Sequence, residues 1–183
     1  MGYRCHIFGA SGAGTTTLGR ALSARLGGKH LDTDSYYWEA TDPPFTIKRE
    51  PKDRVAMILR DVEDVENWVL SGSICSWGDP LLSSFNLAVF LRLAPATRLR
   101  RLRAREALRH GKRILPGGDM HQQHLEFMAW AESYDSGKAP IRSLDLHTSW
   151  MQRLDCPVLE LDSANSTEEL CDQILVQANA ARG

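Results

Sequence analysis

Short apolar runs alternate along this chain with longer stretches in which apolar side chains recur every three or four positions. The runs Tyr3–Phe8, Lys29–Leu31, Trp68–Ser71, Leu87–Leu93 and Pro157–Leu161 read as buried strands. Helical spacing covers about Thr15–Leu26, Lys52–Glu66, Pro95–His110, Asp119–Tyr134, Ile141–Gln152 and Thr167–Ala180. Strand and helix in turn predict an α/β domain, a three-layer α/β/α sandwich around a parallel sheet. Two segments break the rhythm. Thr33–Glu50 gathers Tyr36, Tyr37, Trp38, Pro43, Pro44 and Phe45 and ends near Lys48 and Arg49, and Gly111–Gly118 is framed by glycines around Pro116. Loops of this length in a compact domain are usually lids or binding loops.

Composition narrows the class without naming a partner. At 183 residues the chain is long enough for one domain with a full core. Its 43% hydrophobic and 25% charged residues are ordinary for a globular protein, and a net charge of −1 gives no global attraction to nucleic acid or anionic lipid. Cys5, Cys75, Cys156 and Cys171 are scattered with no Cys-x-x-Cys pair, which fits reduced, mostly buried thiols rather than a disulfide or zinc framework. No apolar stretch reaches the length of a membrane span, and the first strand starts at once, so a cytoplasmic protein is expected.

The chemistry concentrates in Gly9-Ala10-Ser11-Gly12-Ala13-Gly14-Thr15-Thr16-Thr17, between the first strand and the first helix. The run fits the phosphate-binding P-loop, Gly-x-x-x-x-Gly-Lys-[Ser/Thr], at every fixed position but one. The glycines let backbone N–H groups turn inward, and the helix N-terminus adds partial positive charge. Thr16 takes the place of the Mg²⁺-ligating hydroxyl, while Thr15 stands where the lysine belongs. A glycine-rich run is also what an ordinary strand-to-helix turn contains. The flanking strand and helix tip the reading to phosphate.

Asp32 and Asp34 end the second expected strand. Carboxylates so placed can enter the P-loop cleft, Asp32 to hold Mg²⁺ through water and Asp34 to orient or deprotonate an acceptor hydroxyl. The same pair is common where a strand merely turns into a helix. Arg98, Arg101, Arg105 and Arg109 fall on one helical stripe, and Arg98–Arg113 holds seven arginines and Lys112 against Glu106 alone. That face is either simply solvated or a phosphate clamp beside Gly111–Gly118, with Arg105 and Arg109 nearest the lid. A nucleic-acid patch would need interleaved aromatics or a groove-binding motif, and has neither. Trp38, with Tyr36 and Tyr37, can stack on an acceptor ring or pack within the loop, and Trp77 can line the same pocket. Arg49 stands near the expected acceptor. Ser71-Gly72-Ser73 follows the third strand where some P-loop enzymes carry a metal-associated acid, and Gly72 is expected among the acceptor-binding residues. Asn165, after the last strand, is placed to meet a nucleobase. His121 and His124, without a carboxylate, read as surface helix residues.

Taken in order, the P-loop, the Asp-x-Asp pair, the Ser71-Gly72-Ser73 turn and the arginine helix before Gly111–Gly118 resemble the small P-loop kinases grouped around adenylate kinase and shikimate kinase. The resemblance covers nearly the whole chain. It implies a single domain with a five-stranded parallel sheet of order 2-3-1-4-5, an acceptor-binding insertion over about 33–66 and a lid over about 109–120. It also implies ATP with Mg²⁺ as phosphoryl donor and a nucleotide or small hydroxylated metabolite as acceptor. A monomer or homodimer without nucleic-acid or membrane partners is expected. Thr15 and the serines after the third strand depart from the family pattern. The missing lysine requires charge from elsewhere, from Arg105, Arg109, Lys48 or Arg49, and it opens two other readings: a non-catalytic nucleotide-binding regulator, or an NTPase that uses water.

Overall fold

The computed structural model describes residues 2–137 and 142–180. Five strands, β1 (Arg4–Gly9), β2 (Lys29–Asp32), β3 (Trp68–Ser71), β4 (Leu87–Arg92) and β5 (Val158–Asp162), form one sheet of order β2-β3-β1-β4-β5. Every pairing is parallel. Among the described residues seven α-helices accompany it: α1 (Thr15–Arg25), α2 (Thr33–Tyr37), α3 (Pro51–Val62), α4 (Pro95–His110), α5 (His121–Glu132), α6 (Leu144–Met151) and α7 (Thr167–Ala180).

A parallel sheet is covered on both faces, so its central strands are apolar on both. In β1 the alternation sends Cys5 and Ile7 into one core with Leu18, Leu22, Val89, Leu170 and Ile174. Phe8 goes to the opposite core with Leu70, Ile58, Phe90 and Trp150. Each such side chain, fully withdrawn from water, contributes about 1.5–3 kcal/mol. A smaller cluster of Leu102, Met128 and Ala131, with Phe127 and Trp130 against it, fastens α5 to α4.

Strand positions agree with the apolar pattern to within a residue, and α1, α4 and α7 start where their spacing places them. Three differences have physical causes. The aromatic segment from Thr33 is not all loop: it opens with the one-turn α2, because the Asp32 carboxylate accepts the Asp34 N–H at 3.1 Å and caps it. The expected Asp119–Tyr134 helix begins at His121, and Ser133–Ser136 closes it as a 3-10 turn. Helix α6 begins at Leu144, since the Ser143 hydroxyl accepts Leu146 N–H at 3.2 Å; Ile141, the expected start, lies outside the described residues. No helix among the described residues is long and apolar enough to cross a membrane.

All five parallel strands end at one edge, which therefore collects the loops after β1, β2, β3 and β5. The topology places the switch point between β3–β1 and β1–β4 directly beyond Gly9.

Candidate functional site

The loop after β1 is held open by its own backbone. Gly14 sits at φ 93°, a left-handed conformation that a side chain resists, and caps α1. The first helical hydrogen bond runs from Leu18 N–H to Gly14 O, so Thr15, Thr16 and Thr17 present N–H groups with no acceptor inside the helix. Buried Ser163, from the loop after β5, donates its hydroxyl to Ala13 O and fixes the far side of the turn. Ala10 O accepts the Ala13 N–H at 3.0 Å, leaving the Gly9–Thr17 run as a cradle at the sheet edge.

Thr16 and Asp32 meet. The threonine hydroxyl donates to one Asp32 carboxylate oxygen at 2.9 Å, while the other oxygen accepts the Asp34 N–H. Asp32 thus caps α2 and reaches the loop after β1 at once. This pair of hard oxygen donors is the set that suits Mg²⁺, which binds through one or two protein oxygens and substrate phosphates.

With Asp32 engaged, the Asp34 carboxylate has no hydrogen bond or ion pair among the described residues. It remains exposed to water, yet enough protein surrounds it that desolvation raises its pKa, with the Asp32 charge adding to the rise. Arg142, Arg105 and Arg109 oppose the rise, Arg142 most strongly. Three cations from two stretches of chain therefore act on this one carboxylate.

The arginine stripe divides by role. Arg98 is fully buried, donates to Asp135 at 2.5 Å and to Ala131 O at 2.9 Å, and lies over the Tyr134 ring, so it is a structural strut. Arg101 reaches Ser163 O at 3.4 Å, beside the phosphate loop. Arg103 pairs with Glu132, and Arg105 with Glu106 at 3.0 Å. Arg109 is exposed and has no carboxylate within ion-pair distance among the described residues.

Gly72 follows β3 at φ 104°, and a Cβ there would come within 1.9 Å of the Thr33 hydroxyl. Only glycine lets the β3 turn pass under the Asp-x-Asp turn. Its N–H donates to Ile7 O and its carbonyl accepts from His6 Nε2 at 2.8 Å. Ser71, the register partner of Asp32 on the neighbouring strand, has its hydroxyl occupied with His30 at 2.8 Å and Leu31 O. Arg49 spends its guanidinium on Tyr36 O, Trp38 O and Glu39, which closes the base of the aromatic loop. Trp38 packs edge-on against Tyr37 and Phe45 and stays half-buried. Tyr36 is in the core, its hydroxyl on Asp61. Asn165 is exposed, two residues beyond Ser163, with its N–H on Asp162 O. His121 and His124 are half-buried rather than on the surface, because α5 folds back on the lid and His121 Nδ1 meets Ile114 O at 2.9 Å.

The Gly111–Gly118 segment and the aromatic loop are joined. Arg113 grips Asp119 through two nitrogens and also donates to Asp42 at 2.7 Å, and Gln123 donates to Pro44 O at 2.9 Å.

Two site residues escape sequence reasoning. Ser163 stands 150 positions from the carbonyl it holds, and Arg142 donates to Ser11 Oγ at 3.3 Å across 131 positions. Neither carries a local signal, since a lone serine or arginine in a loop is ordinary.

The chain matches the AAA domain family over residues 6–124. It is 47% identical over 170 residues to the uncharacterized protein YqaC of Bacillus subtilis (strain 168), covering 93% of this chain and 94% of that one. Among solved structures it is similar to shikimate kinase from Bacteroides thetaiotaomicron, with a TM-score of 0.60 at 17% identity over 97% of this chain and 98% of the other. Deoxyadenosine kinase from M. mycoides with bound dATP gives 0.54 at 15% identity, over 96% and 98%. At such identities the likeness is one of fold.

Proposed function

From a chain that belongs to the AAA domain family and has the fold of the small P-loop kinases, we propose a phosphotransferase that moves the terminal phosphoryl group of ATP to a nucleotide or a small hydroxylated metabolite. The observation that carries this reading is the contact series Thr16–Asp32–Asp34, which brings the phosphate loop and a free carboxylate to one cleft.

Residues Gly9–Thr17 hold the triphosphate through backbone N–H groups and the α1 N-terminus. Mg²⁺, when bound by Thr16 and through water by Asp32, supplies neutralising charge and orients the phosphates. Asn165 meets the nucleobase, and Trp38, Arg49 and Gly72 shape the acceptor side. The acceptor oxygen lies over Asp34 and attacks the γ-phosphorus. The bond from that phosphorus to the β–γ bridging oxygen breaks, and the acceptor proton passes to Asp34. A carboxylate with a raised pKa accepts that proton more readily than an ordinary one. Arg105 and Arg109 stabilise charge on the transferring group, and most of the catalysis is positioning and electrostatics.

Thr15 favours a second reading, a nucleotide-binding regulator without turnover. A screen of nucleoside monophosphates and small hydroxylated metabolites for acceptor-stimulated ADP production separates the two, with calorimetry of ATP on wild type and Gly14→Val beside it. Acceptor-dependent turnover, with ATP affinity lost in Gly14→Val, is expected. Binding without turnover supports the regulator, ADP formed without acceptor supports an NTPase, and equal affinity in both proteins removes the loop from the account.

A further inference from the structure

Resting on the phosphoryl-transfer reading, we propose that Arg142, from the segment ahead of α6, supplies the positive charge on the donor's terminal phosphates that Thr15 cannot. Arg142 is the arginine that bonds the phosphate loop directly: its Nη1 donates to Ser11 Oγ at 3.3 Å. That contact lies beyond the usual range of an N–H···O bond, so a phosphate oxygen displaces it at little cost. The bonds gained are charge-assisted, and a guanidinium fork can span two phosphate oxygens.

Most other cations of the neighbourhood rest on partners elsewhere, and Arg109, exposed at the end of α4, makes no hydrogen bond to the phosphate loop among the described residues. Arg98 is locked in the core, Arg101 lies on Ser163, Arg105 on Glu106, and Arg113 on Asp42 and Asp119. Lys48 is exposed and its backbone pairs with Trp38 across the aromatic loop, while Arg49 closes that loop. Arg142 has no carboxylate within ion-pair distance among the described residues, and its guanidinium carbon sits 5.5 Å from the Trp130 ring centroid, on the face of α5. Its charge acts on Asp34 more strongly than that of either α4 arginine. Arg142 is therefore the cation that both bonds Ser11 and acts most strongly on Asp34, the two groups proposed to flank the transferred phosphoryl.

Its backbone is well anchored. Ser143, next in the chain, is buried and caps α6, and His147 one turn on is joined to Ser73 at 3.0 Å and Tyr134 at 2.8 Å. The segment carrying Arg142 is thus tied to the turn after β3 as well as to the loop after β1. In this arrangement the charge comes from a different element than the P-loop lysine, and Thr15 leaves the space free for it.

The test compares wild type, Arg142→Ala, Arg142→Lys, Thr15→Lys and the double variant Thr15→Lys/Arg142→Ala, each with ATP and Mg²⁺ by calorimetry, with turnover on the best acceptor and thermal unfolding. Arg142→Ala is expected to lower ATP affinity about tenfold and turnover about 10³-fold, the scale of an arginine finger. Arg142→Lys should recover part of both, and Thr15→Lys in the alanine background should bring ATP affinity back to near wild type. Should Arg142→Ala unfold, the same rescue read in Arg142→Gln replaces it. Wild-type ATP affinity and turnover in a folded Arg142→Ala overturn the proposal while leaving the kinase reading intact. So does a loss that Thr15→Lys leaves unrepaired. A wild-type chain that binds no ATP brings down the kinase reading and this proposal together.

Discussion

At the scale of single residues, two aspartates with the same side chain serve different ends because their hydrogen bonds differ. Asp32 accepts from Thr16 and from the Asp34 backbone, while Asp34 accepts from neither and meets only the surrounding charges. Replacing Asp34 by Asn is therefore expected to abolish transfer and leave ATP affinity within a few-fold, as single-turnover and binding measurements will show. Its raised pKa also has a signature. The base must be ionised, so kcat/KM should fall as pH drops through a value above the ordinary carboxylate range near about 4. Arg142→Ala, which removes the strongest lowering charge, should move that acid limb to higher pH. Full turnover in Asp34→Asn with saturating acceptor would reduce the pair to a turn-forming element.

At the scale of elements, the lid turn and the aromatic loop share their fastenings. Arg113 spans Asp119 on one side and Asp42 on the other, and Gln123 adds a bond to Pro44 O. These ion pairs are exposed, and exposed pairs contribute about 0–1 kcal/mol each. Arg113→Ala should accordingly leave the unfolding temperature almost unchanged. It should nevertheless raise amide hydrogen exchange over residues 39–48 and 111–119 together, because what it removes is the link between two loops. Exchange that rises in the lid alone would show that the aromatic loop stands by itself. The arginine helix teaches a related point: even spacing on α4 puts Arg98, Arg101 and Arg105 on one stripe, but burial makes the first a strut and the other two surface charges.

At the scale of the whole molecule, one core contains two neutral histidines. Burial lowers His6 to about 4 and His147 to about 3, the latter helped by the charge of Arg142. His6 stacks on Phe8 and Phe85 and supports Gly72 O, while its Nδ1 has no partner among the described residues. An unfolded chain protonates both near about 6.5. The folded protein does not, so stability is complete above that pH and is lost as pH falls from it toward 4. Each histidine costs up to about 1.4 kcal/mol per pH unit in that window. Asp34, with its raised pKa, acts in the opposite sense, but it is one group against two. Urea midpoints at pH 7, 6 and 5 should fall steadily, and a flat series would mean that these rings titrate normally in the fold.

The sequence by itself determined the sheet, the phosphate loop and the Asp-x-Asp turn, because each is specified by neighbours within a few positions. Alternating or continuous apolar residues fix a strand, glycines at set spacing fix the loop after β1, and an aspartate two residues before a free N–H fixes a cap. Tertiary structure alone decided which polar groups those local pieces meet. Ser163 on Ala13 O, Arg142 on Ser11 and Arg98 on Asp135 are all contacts between distant stretches of chain. A side chain's charge can be read from its letter. Whether that charge is buried, paired or left for a ligand depends on what the crossover connections bring beside it, and no local pattern records that.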